Sequence, residues 1–283
     1  MRRGVGRSRG ASAIAAVATR RTVWLVGIMA ASLGAYSVTP VTQAAGLTAV
    51  KVGKPFGGTS AVGALFTASH GQLGRHFCTA SVVSSPAKDM LITAAHCVQG
   101  RSLRPTGRIV FAPGYHDGKF PYGIWKVTTE YVDSAWSENH NPNNDVAFLI
   151  AGRPGTHIQT YTGAEILKIN QPAQVVRVIG YPDGTSEPIT CTAPARGFLH
   201  GHQMVFDCGN YTNGTSGGPF LAHVSRKTGR GWVIGVIGGF QEGGDTPDIS
   251  YSPRFFSRIL ALYRTAVAGT LAAGSESPGA VPG

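Results

Sequence analysis

Residues 214–219 read Gly214-Thr215-Ser216-Gly217-Gly218-Pro219. A serine set between glycines satisfies G-x-S-x-G, which unrelated architectures use to present a reactive hydroxyl, so the motif alone does not choose among them. Chain order does. Upstream lie Thr93-Ala94-Ala95-His96-Cys97 and then Asn143-Asn144-Asp145, which opens the apolar run Val146-Ala147-Phe148-Leu149. Base, acid and nucleophile types therefore occur in the order His, Asp, Ser. An α/β-hydrolase esterase needs its acid and base after the serine, with helices between parallel strands. After Ser216 the one histidine is His223, only seven residues on. The esterase alternative is disfavoured on that ground.

The surroundings of these motifs are short, β-branched runs separated by Gly, Pro, Ser and Asn clusters, which predicts an all-β barrel or sandwich. The expected strands in the first half are 61–66, 79–83, 90–93, 108–111, 125–128 and 146–150. The second half repeats the style at 175–180, 204–206, 219–224 and 232–237. Residues 151–165 read as the connector between the halves. One helix is expected late, begun by Pro253, with Phe255, Phe256, Ile259, Leu260 and Tyr263 at helical spacing. The organisation expected is a segment 1–44, a short arm or pro-segment 45–57, a β-rich half 58–160, a second half 161–268 with the helix, and a disordered tail 269–283.

Composition narrows the function classes. The 283 residues carry a formal charge of +11, with 14% charged residues and 39 glycines. Residues 1–44 hold six arginines and no acid; without them 19 basic and 14 acidic residues leave +5. No basic stripe with interleaved aromatics stands out, so nucleic-acid binding is not expected. Arg20-Arg21 followed by the apolar stretch 23–38 and small residues at 42–45 reads as an export signal, of Sec or twin-arginine type. That stretch is shorter than the ~20 residues of a spanning helix, so no membrane association is expected after cleavage. The mature protein is expected to be a secreted monomer. Four cysteines suit an oxidising compartment. Three pairings are open; the local one joins Cys78 to Cys97 and Cys191 to Cys208.

The three residue types suit one chemistry. A serine hydroxyl is a weak nucleophile until a histidine takes its proton, and a carboxylate must hold that imidazole's tautomer. Ser216, His96 and Asp145 are the candidates for those roles. Negative charge then builds on a carbonyl oxygen, and the N–H groups of Gly214 and Ser216 are the candidate donors to it.

At these motifs the chain resembles the chymotrypsin-fold, trypsin-like serine peptidases. The resemblance is carried by Phe77-Cys78-Thr79-Ala80-Ser81-Val82-Val83, by Thr93-Ala94-Ala95-His96-Cys97-Val98, by Asn144-Asp145-Val146-Ala147-Phe148-Leu149 and by 214–219, over roughly residues 58–265. It implies two six-stranded antiparallel β-barrels with the site between them, a C-terminal helix, a Cys78–Cys97 disulfide and peptide-bond hydrolysis without a cofactor. Two positions depart from the animal members. Thr215 stands where they carry an aspartate that pairs with a new chain terminus on activation, which turns the resemblance toward the bacterial, secreted, glutamyl-endopeptidase-like branch. Asn210 stands where trypsin-like members carry a pocket aspartate, and the strand Val236-Ile237-Gly238 lacks the histidine of glutamyl-specific members. The pocket, drawn from Asn210, Tyr211, Thr212, Gly238, Gly239 and Phe240, is therefore expected to take an uncharged side chain.

Other readings compete. A catalytically inactive binding module on the same fold would keep all of these motifs. His200-Gly201-His202 lacks a third ligand at a useful spacing, so a solvated turn is expected there and no metal site. His70 and His76 flank a glycine-rich turn and are expected at the surface. Residues 45–57 are also candidates for a segment that holds an enzyme latent.

Overall fold

In the computed structural model, residues 51–100, 107–153 and 155–275 are described. The expected export signal, and the arm as far as residue 50, lie outside the described residues. The chain begins with β1 (Lys54–Pro55) and then builds the first half from β2 (Val62–Ser69), β3 (Gln72–Val82), β4 (Met90–Thr93), β5 (Arg108–Pro113), β6 (Trp125–Val132) and β7 (Ala147–Gly152). These six strands close into an antiparallel barrel in the order β2-β3-β4-β7-β6-β5. Short helices α1 (His96–Gln99) and α2 (Ser134–Asn139) interrupt the strands, and α3 (Ile158–Thr162) follows them.

Strand alternation gives this barrel two apolar faces. Leu65, Leu91, Phe111, Trp125 and Leu149 fill its interior. Their neighbours Val62, Ala64, Ile92 and Phe148 point the other way, into a cluster shared with Ile179, Tyr181, Leu221 and Val236 of the second half. The two halves therefore meet through a continuous core.

The second half comprises β8 (Ile166–Leu167), β9 (Val175–Gly180), β10 (Ile189–Phe198), β11 (Gln203–Asp207), β12 (Pro219–Ala222), β13 (Trp232–Val236) and β14 (Ile249–Pro253). Its order is β14-β11-β10-β9-β12-β13-β8, with β1 added beside β10. Six long strands, β9–β14, match the number expected, but their sheet is not a ladder-closed barrel and two-residue strands raise its count to eight. Where β13 would meet β14, the Ser252 hydroxyl accepts the Val236 N–H at 2.9 Å and the Tyr251 carbonyl accepts the Gly238 N–H at 3.0 Å. At Val236 a side chain takes the place of a main-chain partner, and a main-chain bond returns at Gly238.

The last element, α4 (Ser257–Ser275), packs back on the first barrel through Ile259, Leu262 and Ala266. It starts four residues later than expected, because Pro253 ends β14. It also passes Gly269, where a disordered tail was expected to begin. That glycine is a packing residue: a Cβ there would collide with the Tyr131 ring. Residues 276–283 of the expected tail lie outside the described residues.

Candidate active site

His96 opens α1 just past the end of β4, and Asp145 follows a 3-10 turn over Pro142–Asn144 just before β7. Adjacent strands β4 and β7 thus deliver both side chains to one rim of the closed barrel. His96 Nδ1 lies 2.7 Å from Asp145 Oδ2, and the His96 N–H donates to Asp145 Oδ1 at 2.8 Å. The Gly239 N–H, from the second half, donates to Asp145 Oδ2 at 2.7 Å. Asp145 is fully buried and satisfied by three donors, so its carboxylate is fixed as an acceptor toward the imidazole. Gly238 has to be small: a Cβ there would lie 2.9 Å from Asp145 Oδ2.

Burial alone would lower the His96 pKa, but the Asp145 charge and hydrogen bond, with a further contribution from Glu242, outweigh it and raise the imidazole above its ordinary value. The Cys78–Cys97 disulfide ties α1 to β3, and Cys191–Cys208 joins β10 to the loop carrying the serine. Both local pairings are present.

Ser216 sits on the loop between β11 and β12. Gly214 and Gly217 have φ of 88° and 79°, a region open to glycine at little cost. Thr215 is turned inward, 2% exposed, with its hydroxyl on the Thr212 carbonyl at 2.7 Å. Neither the Gly214 nor the Ser216 N–H meets a main-chain acceptor among the described residues. Ser216 and His96 line one cavity of about 700 Å³. No hydrogen bond joins their side chains; such a contact commonly tightens only when substrate binds.

A residue not singled out from sequence positions this loop. Thr79 of β3 donates its N–H to the Ser216 carbonyl at 2.7 Å and its hydroxyl to the Gly214 carbonyl at 3.0 Å. The same hydroxyl accepts the Tyr181 N–H at 2.9 Å, while the Thr93 hydroxyl donates to the Thr79 carbonyl at 2.8 Å. The first barrel therefore holds the loop that the second half carries. The signal was present in Phe77-Cys78-Thr79, but only tertiary contact reveals its use.

The pocket differs from expectation. Tyr211 and Thr212 do line the cavity, whereas Asn210, Gly238, Gly239 and Phe240 do not. Asn210, at φ 74°, turns its side chain away to donate to the Gly53 carbonyl at 3.1 Å. Gly238 and Gly239 face Asp145 and Gln203, and Phe240 packs on Phe198 and Tyr251. The walls come instead from Asn213–Ser216, Gln241–Pro247, Asp183 and Ser250. The residues from which an uncharged substrate side chain was expected are thus not the walls, which include the acidic residues Asp183, Glu242 and Asp245.

Residues 51–56 do not reach this cavity. They are stitched behind its wall: the Gly53 N–H donates to the Gly209 carbonyl and the Gly209 N–H to the Lys51 carbonyl, both at 2.7 Å. His76, expected at the surface, is buried among Phe66, Tyr115 and Tyr181, with Nε2 2.8 Å from the Thr185 carbonyl.

Comparison with known proteins agrees with this fold. A family model described as Trypsin matches residues 56–259. Protease Anisep from Arthrobacter nicotinovorans is 24% identical, with a TM-score of 0.66 over 77% of this chain and 100% of that one. The thermostable serine protease AL20 from an extremophilic microorganism is 26% identical, with a TM-score of 0.63 over 74% of this chain and 98% of that one. A Glu endopeptidase structure, 17% identical, gives 0.59 over 77% of this chain and 97% of that one. A Bacillus subtilis (strain 168) protein named extracellular metalloprotease is 31% identical over 85 residues, 30% of this chain and 26% of that protein, so the match spans about a quarter of its length. A metal does not fit here: the one donor cluster among the described residues is Cys78, His96 and Cys97, and both sulfurs are spent in the disulfide. With the model match covering most of the chain, both β-rich halves included, the protein belongs to the trypsin family and is a serine endopeptidase.

Proposed function

We propose that the protein is a secreted enzyme that hydrolyses peptide bonds through Ser216, His96 and Asp145 by way of an acyl-enzyme. The observation that carries this reading is the imidazole fixed by a buried Asp145 on the wall of the cavity that also exposes Ser216. Ser216 Oγ attacks the substrate carbonyl carbon while His96 Nε2 takes its proton. Asp145 stabilises the resulting imidazolium through Nδ1. The carbonyl oxygen, now negative, receives the free N–H groups of Gly214 and Ser216, each worth on the order of 10²–10³ in rate. The C–N bond then breaks as His96 returns the proton to the leaving amine. Water, deprotonated by His96, attacks the Ser216 ester and releases the acid.

Export is supported by the two disulfides, which persist in oxidising compartments, and by the N-terminal sequence. The mature enzyme is proposed to act as a monomer. The inactive-module alternative is opposed by a site in which base, acid and free donors are all present. Treatment of the purified protein with a serine-directed covalent probe separates the two. Labelling at Ser216, lost in His96→Ala, is expected; an unlabelled Ser216 in folded protein removes the enzyme mechanism.

A further inference from the structure

Gln203 opens β11 and is fully buried, and no step of the mechanism above uses it. β11 lies between β10 and β14, and Gln203 is paired on both sides, to Phe198 and to Pro253, so its backbone is held by the sheet. Its side-chain amide spans two other segments. The Oε1 accepts the Phe240 N–H at 3.2 Å, and the Nε2 donates to Asn143 Oδ1 at 2.8 Å. A main-chain N–H can only donate. The Gln203 oxygen therefore faces Phe240, its NH2 faces Asn143, and Asn143 in turn presents its oxygen.

Both segments lead to Asp145. Asn143 sits two residues ahead of it, in the turn Pro142–Asn144. Phe240 follows Gly239, whose N–H donates to Asp145 Oδ2 at 2.7 Å. That same oxygen lies 2.7 Å from His96 Nδ1. One amide thus joins the turn that presents the carboxylate to the segment that holds the carboxylate oxygen facing the imidazole. The joint also crosses between the halves, because Asn143 belongs to the first and Gln203 and Phe240 to the second. The fit is close at Gly239, where φ is 83° and a Cβ would collide with Gln203 Oε1.

A buried amide costs free energy unless both of its ends are paired. A methionine would fill similar space with no such demand, so packing alone does not call for glutamine here. What the amide adds is direction. We propose that Gln203 is a positioning residue for catalysis, which keeps Asp145 Oδ2 in line with His96 Nδ1 by locking the Asn143 turn to Gly239–Phe240. This role rests on the Ser216–His96–Asp145 mechanism proposed above. Gln203 does not line the cavity, so it acts through Asp145 and not on the substrate.

The test compares wild-type enzyme with Gln203→Met, which removes both bonds, and with Asn143→Ala, which removes one at a half-buried position. Active sites are counted with the serine-directed probe, and folding is followed by thermal melting. Gln203→Met is expected to lower kcat on the order of 10²-fold and Asn143→Ala about 10-fold, with KM within about twofold of wild type. Asp145 and Glu242, the charges that raise the His96 pKa, remain in both variants. A looser Asp145 supports the imidazolium less well, so the acid limb of kcat/KM is expected at lower pH in both. Wild-type kcat and an unmoved limb in folded, labelled variants overturn the proposal, and so does a rise in KM alone; each leaves the serine mechanism standing. If Gln203→Met does not fold, Asn143→Ala decides by the same two readouts. Wild-type enzyme that neither labels at Ser216 nor cleaves peptide overturns the mechanism and the proposal together.

Discussion

The first barrel and the second sheet contribute to the site in opposite ways. In the barrel, β4 and β7 are hydrogen-bonded neighbours in a closed ladder, so His96 and Asp145 inherit their spacing from the fold. In the second half the sheet stays unpaired between β13 and β14, and Ser216 rides on a loop. That loop is fixed from outside its own sheet, by Thr79 in front and by the arm 51–56 behind. The rigid part of the site is thus intrinsic, while Ser216 and the cavity walls depend on ties that run between segments distant in sequence.

Breaking the intrinsic part should cost most. Asp145→Asn removes the acceptor for His96 Nδ1, and kcat is expected to fall on the order of 10⁴-fold. Asp133 cannot substitute, because it caps α2 and pairs with Arg258 at 2.8 Å. A general base must be neutral to act, so a raised imidazole pKa places the acid limb of kcat/KM above the ordinary histidine value of about 6.5. In Asp145→Asn the residual activity should show that limb at lower pH. An unmoved limb would mean that Asp145 is not the group holding His96.

The seam between the halves offers the next effect, in stability. Glu165 is fully buried; its N–H donates to the Val82 carbonyl of the barrel and its Oε2 accepts the Gly231 N–H of the second half. Burial raises its pKa to about 7, against the lowering influence of that hydrogen bond and of Arg230 and Arg177. The unfolded chain releases this proton near pH 4.3, so between there and about pH 7 the folded state binds more protons and stability falls as pH rises. The loss levels off above pH 7, at about 4 kcal/mol. Urea denaturation across this range should show the slope in wild type and its removal in Glu165→Gln. Equal slopes would place the charge elsewhere.

Thr79→Val tests the tie in front of the nucleophile. It deletes one hydroxyl that serves both Gly214 and Tyr181, a loss of about 1–3 kcal/mol. The expected result is kcat lower by roughly 10–100-fold with the acid limb unchanged, since the His96–Asp145 pair is untouched. A lowered melting temperature with unaltered kcat would make Thr79 a purely structural residue.

The smallest effect belongs to the arm. A chain starting at Gly57 loses the bonds to Gly209 and Asn210 behind the Tyr211–Thr212 wall. Its KM should rise by about fivefold relative to a chain starting at Lys51, with a smaller change in kcat. Higher activity in the shorter chain would show instead that the arm restrains the enzyme.

Motifs with local meaning were legible in the sequence. His96, Asp145 and Ser216 were readable because each sits at a fixed offset within a short pattern, and strands β4 and β9 because their ends coincide with turn residues. β10 was not among the expected strands. In fact Pro194 lies where β10 ceases pairing with β9 and Ala195 begins pairing with β11, so the missing N–H falls at the change of partner. The cavity walls were misplaced for a different reason. Position in a motif placed Asn210 at the pocket, but its left-handed backbone and its bond to Gly53 turned it away. Such a bond crosses 157 residues of sequence, a separation at which no local pattern speaks.

Thr215 has a practical consequence. Its hydroxyl closes on Thr212 within its own loop, so this neighbour of Ser216 needs no counter-ion from a freed chain end. The amino side of the domain is thereby released from electrostatic duty. A carrier domain or affinity tag joined ahead of Lys51 should leave turnover intact, which makes that end, rather than the helix α4 clamped on the first barrel, the place to attach cargo.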